Sequence, residues 1–193
     1  MSRICIVQGH PDPAGGHFDH ALAEAYRAGA EGAGHEVRII EVASLDFPLL
    51  RSATQWKEGE VPPGLVEAQQ AIAWAEHLVI VYPLWLGTMP ALLKAFLEQV
   101  LRPGFAIGQG GHGMWKKLLA GRSARVVVTM GMPAFAYRWW FGAHSVRSLE
   151  RNILKFVGFS PVRSSLIGMV ESPAKKGRER WLVRMREFGA RGS

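Results

Sequence analysis

The chain has 193 residues, a single cysteine and a hydrophobic fraction of 48%. This length and apolar content predict one domain over residues 1–193 with a core of ordinary size. The lone Cys5 excludes an internal disulfide framework and indicates a reducing compartment, so we predict a cytoplasmic location. The longest stretch without charged residues, 77–93, is interrupted by Pro83, Gly87 and Pro90, which argues against a membrane span.

Positive charge is concentrated near the C-terminus. The formal net charge is +7, and much of the excess lies between residues 175 and 191. Such clusters occur in proteins that bind nucleic acid or anionic lipid. Here Trp181, Leu182, Met185 and Phe188 recur between the basic residues at helical spacing. That pattern favours the solvated face of an ordinary helix over a nucleic-acid or membrane surface.

Predicted strands and helices alternate along the chain. Apolar, β-branched runs predict strands at 3–7, 36–42, 77–82, 123–130 and 162–169. Apolar residues at helical spacing predict helices at 17–34, 65–75, 89–101, 143–157 and 174–188. The remaining segments are predicted as loops: a long connection at 44–63, a glycine-rich segment at 105–113 and an aromatic segment at 131–142.

This alternation predicts a parallel sheet with helices on both faces. Five such units without a dinucleotide fingerprint favour the flavodoxin-like three-layer sandwich with strand order 2-1-3-4-5. The pattern Gly108-x-Gly110-x-x-Gly113 matches the fingerprint by letter, yet it follows a helix rather than a first strand. We therefore do not interpret it as a cofactor motif.

Three predicted loops follow the first, third and fourth strands and should open on the same edge of the sheet. The first loop ends at a helix N-terminus, which attracts anions through its free N–H groups and dipole. The second loop contains Trp85, and the third begins at Thr129 and continues into aromatic residues. A phosphate on the first loop and a flat ring against the other two would fit a flavin.

Other interpretations of these residues are weaker or remain open. His10, His17 and His20, with Asp12 and Asp19, lie across a proline-broken loop and do not form a convincing metal site. Trp85, Trp139 and Trp140 could belong to the core, but large rings on loops bounded by Gly and Pro more often line a site or an interface. Tyr137 and His144 could each be structural or functional.

Several motifs together resemble the NAD(P)H:quinone reductase family, which is DT-diaphorase-like and includes the ancillary oxidoreductases of bacterial potassium-efflux systems. The motifs are Gly9-His10-Pro11, Phe18 with Ala21-Leu22, Pro-Leu-Trp-Leu-Gly-Thr-Met-Pro-Ala-Leu-Leu-Lys at 83–94, Arg-Pro-Gly-Phe-Ala at 102–106, Thr129, Tyr137 and Leu-Lys-Phe-Val-Gly at 154–158. The resemblance covers nearly the whole chain, and segment 83–105 is its most specific part.

The resemblance implies a homodimer with FAD or FMN near the subunit interface. It also implies ping-pong transfer of hydride from NAD(P)H to flavin N5 and then to a quinone-like acceptor. The residues that would hold the flavin are His10, His17, Phe18 and Asp19 at the phosphate, Pro83, Leu84, Trp85 and Leu86 on one side of the ring, and Thr129, Gly131 and Met132 on its other edge. Tyr137 would stabilise the reduced ring near N1 and O2, with His144 about one position from the family's histidine.

The chain departs from the family pattern at three places. His17-Phe18-Asp19 stands where the family shows Ser-Phe-Asn, and a carboxylate beside phosphate is unfavourable unless it caps the helix or turns away. Met130 and Met132 stand where Thr and Gly are usual, which would narrow the acceptor pocket. The C-terminal extension of larger members is absent, which leaves FAD versus FMN open.

Two other function classes remain to be separated from an oxidoreductase. A flavodoxin-type electron carrier would not be reduced directly by NAD(P)H, and its acidic surface fits a basic chain poorly. A regulatory flavoprotein subunit would make peripheral contact with a membrane transporter and would keep that contact when turnover is lost. Nucleic acid is not an expected partner.

Overall fold

The computed structural model describes residues 1–109, 115–171 and 175–193. Its strands are β1 (Arg3–Gln8), β2 (Glu36–Glu41), β3 (His77–Pro83), β4 (Ile107–Gln109), β5 (Trp115–Lys117), β6 (Ser123–Thr129) and β7 (Val162–Ile167). The main sheet has the order β2-β1-β3-β6-β7, and every neighbouring pair is parallel. This is the order 2-1-3-4-5 in the five main strands, so the predicted flavodoxin-like fold is confirmed.

Helices cover both faces of the sheet. They are α1 (Phe18–Gly32), α2 (Ala53–Glu58), α3 (Val66–Trp74), α4 (Ala91–Val100), α5 (Ala134–Trp139), α6 (His144–Ser148), α7 (Lys155–Val157) and α8 (Lys175–Arg191). The core on one face joins α1 and α8 to the sheet, and the core on the other joins α3, α4 and α6 to it. Every residue of β3 is buried, as expected for a central parallel strand with helices on both sides.

Two glycines permit the close contact between α1 and α8. A Cβ atom on Gly29 would lie 2.0 Å from the carbonyl oxygen of Arg186, and one on Gly189 would lie 2.0 Å from that of Tyr26. Any side chain at either position would therefore force the helices apart. Alanine, which the helix itself would prefer, is excluded here by packing.

Three segments differ from the predicted loops. The connection 44–63 contains α2, whose N-cap Ser52 accepts a hydrogen bond from the Gln55 N–H at 3.1 Å. Segment 105–113 contains β4, which pairs with β5 in an antiparallel hairpin; residues 110–113, including Gly110 and Gly113, lie outside the described residues. The aromatic segment 131–142 contains α5. The helix α2 buries no residue, and β4 and β5 are each three residues long. These three elements therefore show no clear apolar periodicity in the sequence.

The boundaries of the last two predicted helices also need correction. The predicted helix 143–157 is divided into α6, a π-helical turn at Leu149–Leu154 and α7. The last helix begins at Lys175 and ends at Arg191, and the predicted start at Ala174 lies outside the described residues. Within the described part of the chain, no helix is both long enough and apolar enough to cross a bilayer.

Candidate functional site

The loops after β1, β3 and β6 meet at one edge of the sheet, as predicted. Gly9 N–H donates to the Val81 carbonyl at 2.7 Å, and Leu84 N–H donates to the Thr129 carbonyl at 2.7 Å. The rings of His10 and Trp85 meet edge to face with centroids 5.8 Å apart. Backbone hydrogen bonds therefore anchor the first and second loops to neighbouring strands, and a side-chain contact joins these two loops.

In the first loop, two histidine rings stack beside the start of α1. The centroids of His10 and His17 are 3.9 Å apart, with 17° between the ring planes. Nε2 of His17 lies 2.7 Å from an Asp12 carboxylate oxygen, and this hydrogen bond lowers the pKa of Asp12. Burial, together with the neighbouring His17 and His20, lowers the pKa of His10 to about 4. His10 is therefore neutral at physiological pH.

The N-terminus of α1 lacks a capping hydrogen bond from its N-cap side chain. Its N-cap residue is His17, whose side chain makes no capping hydrogen bond. Gly15 and Gly16 precede it with φ of 71° and 77°, a conformation that favours glycine and leads the chain sharply into the helix. Uncapped first-turn N–H groups are the standard backbone donors for a phosphate.

The Asp19 side chain turns away from this N-terminus into the protein. Its two carboxylate oxygens accept hydrogen bonds from the Thr129 hydroxyl at 2.9 and 3.0 Å, and only 4% of Asp19 is exposed. Burial raises the pKa of Asp19 to about 6, although the Thr129 hydrogen bond acts in the opposite direction. The polar atoms of Asp19 and Thr129, both predicted to bind the cofactor, are thus directed at each other.

The second loop is a tight turn that presents Trp85. Trp85 and Thr88 exchange backbone hydrogen bonds of 2.9 and 3.0 Å, and Leu86 and Gly87 between them have φ of 47° and 79°. Two consecutive positive φ values indicate a type I′ turn, which is unusual for leucine. Pro83 is buried, Leu84 is half-buried, and Trp85 and Leu86 are exposed. Trp85 is therefore fixed at the rim with one part of its ring in solvent.

The third loop is held by the chain that follows β7. Met169 N–H donates to the Met132 carbonyl, and Val170 N–H donates to the Met130 carbonyl, both at 3.2 Å. Met130 is buried, Gly131 is exposed and Met132 is half-buried. Of the residues predicted here, Gly131 and Met132 thus reach the surface of the rim.

The predicted catalytic residues lie in different environments. Tyr137 is buried, and burial raises the pKa of its hydroxyl, while the nearby Ser145 and the backbone at Val146 act in the opposite direction. The buried hydroxyl of Tyr82 also lies close to Ser145 and interacts with Tyr137. His144 is exposed at the start of α6, after Ala143 with φ of 47°. Contact between Tyr137 and a ligand would require a shift of α5.

Gln8 is a rim residue that the sequence analysis did not single out. It is buried at the end of β1, and its Oε1 accepts a hydrogen bond from His10 N–H at 2.8 Å. Its Nε2 is buried without a partner among the described residues. The sequence feature that could have indicated Gln8 is a polar residue at the end of an apolar strand, directly before the first loop.

The amino-acid sequence is similar to a known protein family and to individual characterised proteins. The family described as "Flavodoxin-like fold" matches residues 2–188. The chain is 49% identical over 65 residues to the glutathione-regulated potassium-efflux system ancillary protein KefG of Serratia proteamaculans (strain 568), and the match covers 33% of each chain. Matches to the first curated relatives cover only 57% and 33% of their lengths.

Two solved structures share the fold over nearly the whole chain. An NAD(P)H:quinone oxidoreductase from Methanothermobacter marburgensis has a TM-score of 0.80 at 24% identity, covering 98% of this chain and 96% of its own. An FMN-dependent NADH-azoreductase from Bacillus anthracis str. Ames Ancestor, in complex with FMN, has a TM-score of 0.76 at 16% identity, covering 99% of both chains.

Proposed function

This chain belongs to the flavodoxin-like family, as the resemblance in its sequence predicted, and we propose that it is a flavin-dependent NAD(P)H oxidoreductase that reduces quinones or similar acceptors. The observation that carries the proposal is the meeting of three loops at one sheet edge, beside an uncapped helix N-terminus. The names of the solved structures that share the fold, a quinone oxidoreductase and an azoreductase, support the same class of reaction.

The first loop fits the phosphate of FAD or FMN. The first-turn N–H groups of α1 and the ring of His17 would hold it, with His10 and Phe18 beside them. Asp19 would not contact the phosphate, because its carboxylate faces Thr129. The buried Nε2 of Gln8 is a further donor at this rim that lacks a described partner.

The second and third loops fit the flavin ring. Trp85 would lie against it with Pro83, Leu84 and Leu86, and Gly131 and Met132 would border the opposite edge with the Thr129 backbone. When bound, the flavin would accept hydride from NAD(P)H and donate it to the acceptor in a ping-pong sequence. These largely apolar side chains would exclude water from the reacting face and fix the orientation of the ring.

We further propose that two copies associate. Two aromatic side chains that follow α5 are exposed, at 86% for Trp140 and 53% for Phe141. A separate apolar cavity of about 180 Å³ lies between α4 and the end of the π-helical turn, with Leu97, Ile107 and Phe156 in its lining. Exposed large aromatic side chains and an open apolar cavity are typical of a protein–protein interface.

A regulatory subunit that docks a membrane transporter is the second candidate, because KefG is a potassium-efflux ancillary protein. A cytoplasmic location, inferred from the single buried Cys5, suits either candidate. Co-purification with a transporter that persists in a variant without turnover would favour the regulatory role.

The deciding experiment is an absorption spectrum of the purified protein followed by chromatography of the released flavin. We expect flavin absorption bands, one released flavin (FAD or FMN), and anaerobic bleaching by NADPH or NADH. A colourless protein that neither flavin reconstitutes would contradict the proposal.

A further inference from the structure

A cleft runs along the free edge of the main sheet, on the side of β7 away from β6. Its volume is about 510 Å³, and its floor is formed by Ser164, Ser165 and Leu166. Arg147 of α6 lies on one wall and Arg184 of α8 on the other. Since α6 and α8 pack on opposite faces of the sheet, the cleft is a slot over the strand edge.

The backbone of β7 presents unused hydrogen-bonding groups to this slot. Met130 N–H donates to the Ile167 carbonyl, and Ala124 N–H donates to the Pro161 carbonyl, both at 2.9 Å. Odd-numbered residues of β7 therefore face β6. Because backbone groups alternate sides along a parallel strand, the N–H and C=O groups of Ser164 and Leu166 point outward, and they make no hydrogen bond within the described residues.

The walls of the slot are strongly basic. Arg138, Arg147 and Arg184 line it against a single acidic lining residue, Glu150. None of the three arginines forms an ion pair with another described residue. The Arg184 guanidinium lies over the ring of Trp181, 5.2 Å from its centroid, which holds its charge at the slot.

The positive charge of the slot distinguishes between two possible partners, a second copy of this protein and an acidic segment of another protein. A second copy pairing its own β7 would bring two sets of arginines together, and like charges across an interface disfavour association. Arginines on a strand edge protect it from such self-pairing. An extended chain that carries carboxylates would instead complete both the backbone hydrogen bonds and the charges.

We propose that the edge of β7 is a docking site for an extended acidic segment of a partner protein, which adds to the main sheet as a sixth strand. The site is separate from the loops proposed to hold flavin. Neither the binding nor its test depends on the cofactor.

The test uses the full chain and a labelled, end-capped heptapeptide of alternating glutamate and valine, with binding followed by fluorescence anisotropy. Hydrogen exchange should slow at the Ser164 and Leu166 amides by about tenfold or more at saturating peptide. A peptide with lysine in place of glutamate, or with alternate backbone nitrogens methylated, should not bind.

Two variants test the two parts of the site. Ser164→Pro removes an outward N–H, a change that edge strands tolerate, and should abolish peptide binding while the far-UV circular dichroism spectrum of the protein stays unchanged. Arg147→Glu with Arg184→Glu should weaken binding by about tenfold or more. The matched control, Arg151→Glu with Arg180→Glu, changes the net charge equally outside the cleft and should bind nearly as well as the parent.

Three results would overturn the proposal. The first is no binding of the acidic peptide, which would leave the arginines as protection against self-pairing. The second is equal binding of the methylated peptide, which would exclude strand addition. The third is binding of inorganic polyphosphate that displaces the peptide without protecting any β7 amide, which would indicate a general anion site.

Discussion

The carboxylate of Asp19 accepts a hydrogen bond of 2.9 Å from the hydroxyl of Thr129, 110 residues away along the chain. This buried pair joins the start of α1 to the end of β6, and thus two of the three loops at the rim. The Asp19 carboxylate is buried and faces Thr129, so it does not project toward the phosphate that we propose at the same helix end. The pair joins the first and third loops of the rim.

Replacing Asp19 by asparagine should change how stability depends on pH. A carboxyl group whose folded pKa is raised, here from 3.8 to about 6, stabilises the fold while protonated. That contribution is lost as the pH rises from about 4 to about 6. This loss is absent in Asp19→Asn. The free energy of unfolding of the variant, relative to that of the parent, should therefore rise by up to about 3 kcal/mol between about pH 4 and pH 7.

Urea unfolding of both proteins across this pH range measures the difference. Thr129→Ser, which keeps the hydroxyl, is the control and should follow the parent. Parallel pH profiles for Asp19→Asn and the parent would show that the carboxyl titrates normally.

His17→Ala should weaken FMN binding while leaving riboflavin binding nearly unchanged. The imidazole is proposed to contact the phosphate, and a charge-assisted hydrogen bond of this kind corresponds to about tenfold or more in affinity. Calorimetric titration of the apoprotein with each ligand gives both constants. An equal loss for the two ligands would mean that His17 supports the loop and not the phosphate.

Trp85→Leu should weaken FMN and riboflavin equally, by about tenfold, because the indole is proposed to pack on the ring that both share. Trp74→Leu is the control. Trp74 ends α3 just before β3 begins, so it lies near the amino ends of the strands, opposite the loops proposed to bind flavin. If Trp85→Leu binds FMN and riboflavin as tightly as the parent, Trp85 does not contact the flavin ring.

Tyr137→Phe should slow flavin reduction by NAD(P)H by roughly 10- to 100-fold if its hydroxyl stabilises the reduced ring. Tyr26→Phe removes a buried hydroxyl from the core between α1 and α8, far from α5, and serves as the control in stopped-flow measurements. A rate in Tyr137→Phe equal to that of the parent and of Tyr26→Phe would exclude Tyr137 from the reaction.

The sequence predicted the sheet well because its three central strands, β1, β3 and β6, contain continuous apolar runs. Alternation predicts a parallel sheet, and five units without a dinucleotide fingerprint favour the order 2-1-3-4-5, which places the three loops at one edge. Short elements such as α2 were missed, since exposed helices of six residues show no apolar stripe. The segment holding α5 was predicted as a loop because its exposed and buried aromatic residues follow no period.

The site was predicted at the level of loops but not of side-chain partners. Nothing local in the sequence indicates that Asp19 meets Thr129, since such a contact depends on the fold placing β6 next to β3 and α1 above them. The buried Nε2 of Gln8, which has no partner among the described residues, and the burial of the Tyr137 hydroxyl likewise depend on packing between distant segments.

Anaerobic mixing of the flavin-loaded protein with NADPH or NADH, followed by a quinone, tests the central claim most directly. The account predicts that the flavin absorbance bleaches with the nicotinamide and returns on addition of the quinone, without oxygen. A protein that binds flavin at this rim but is reduced by neither nicotinamide would contradict it.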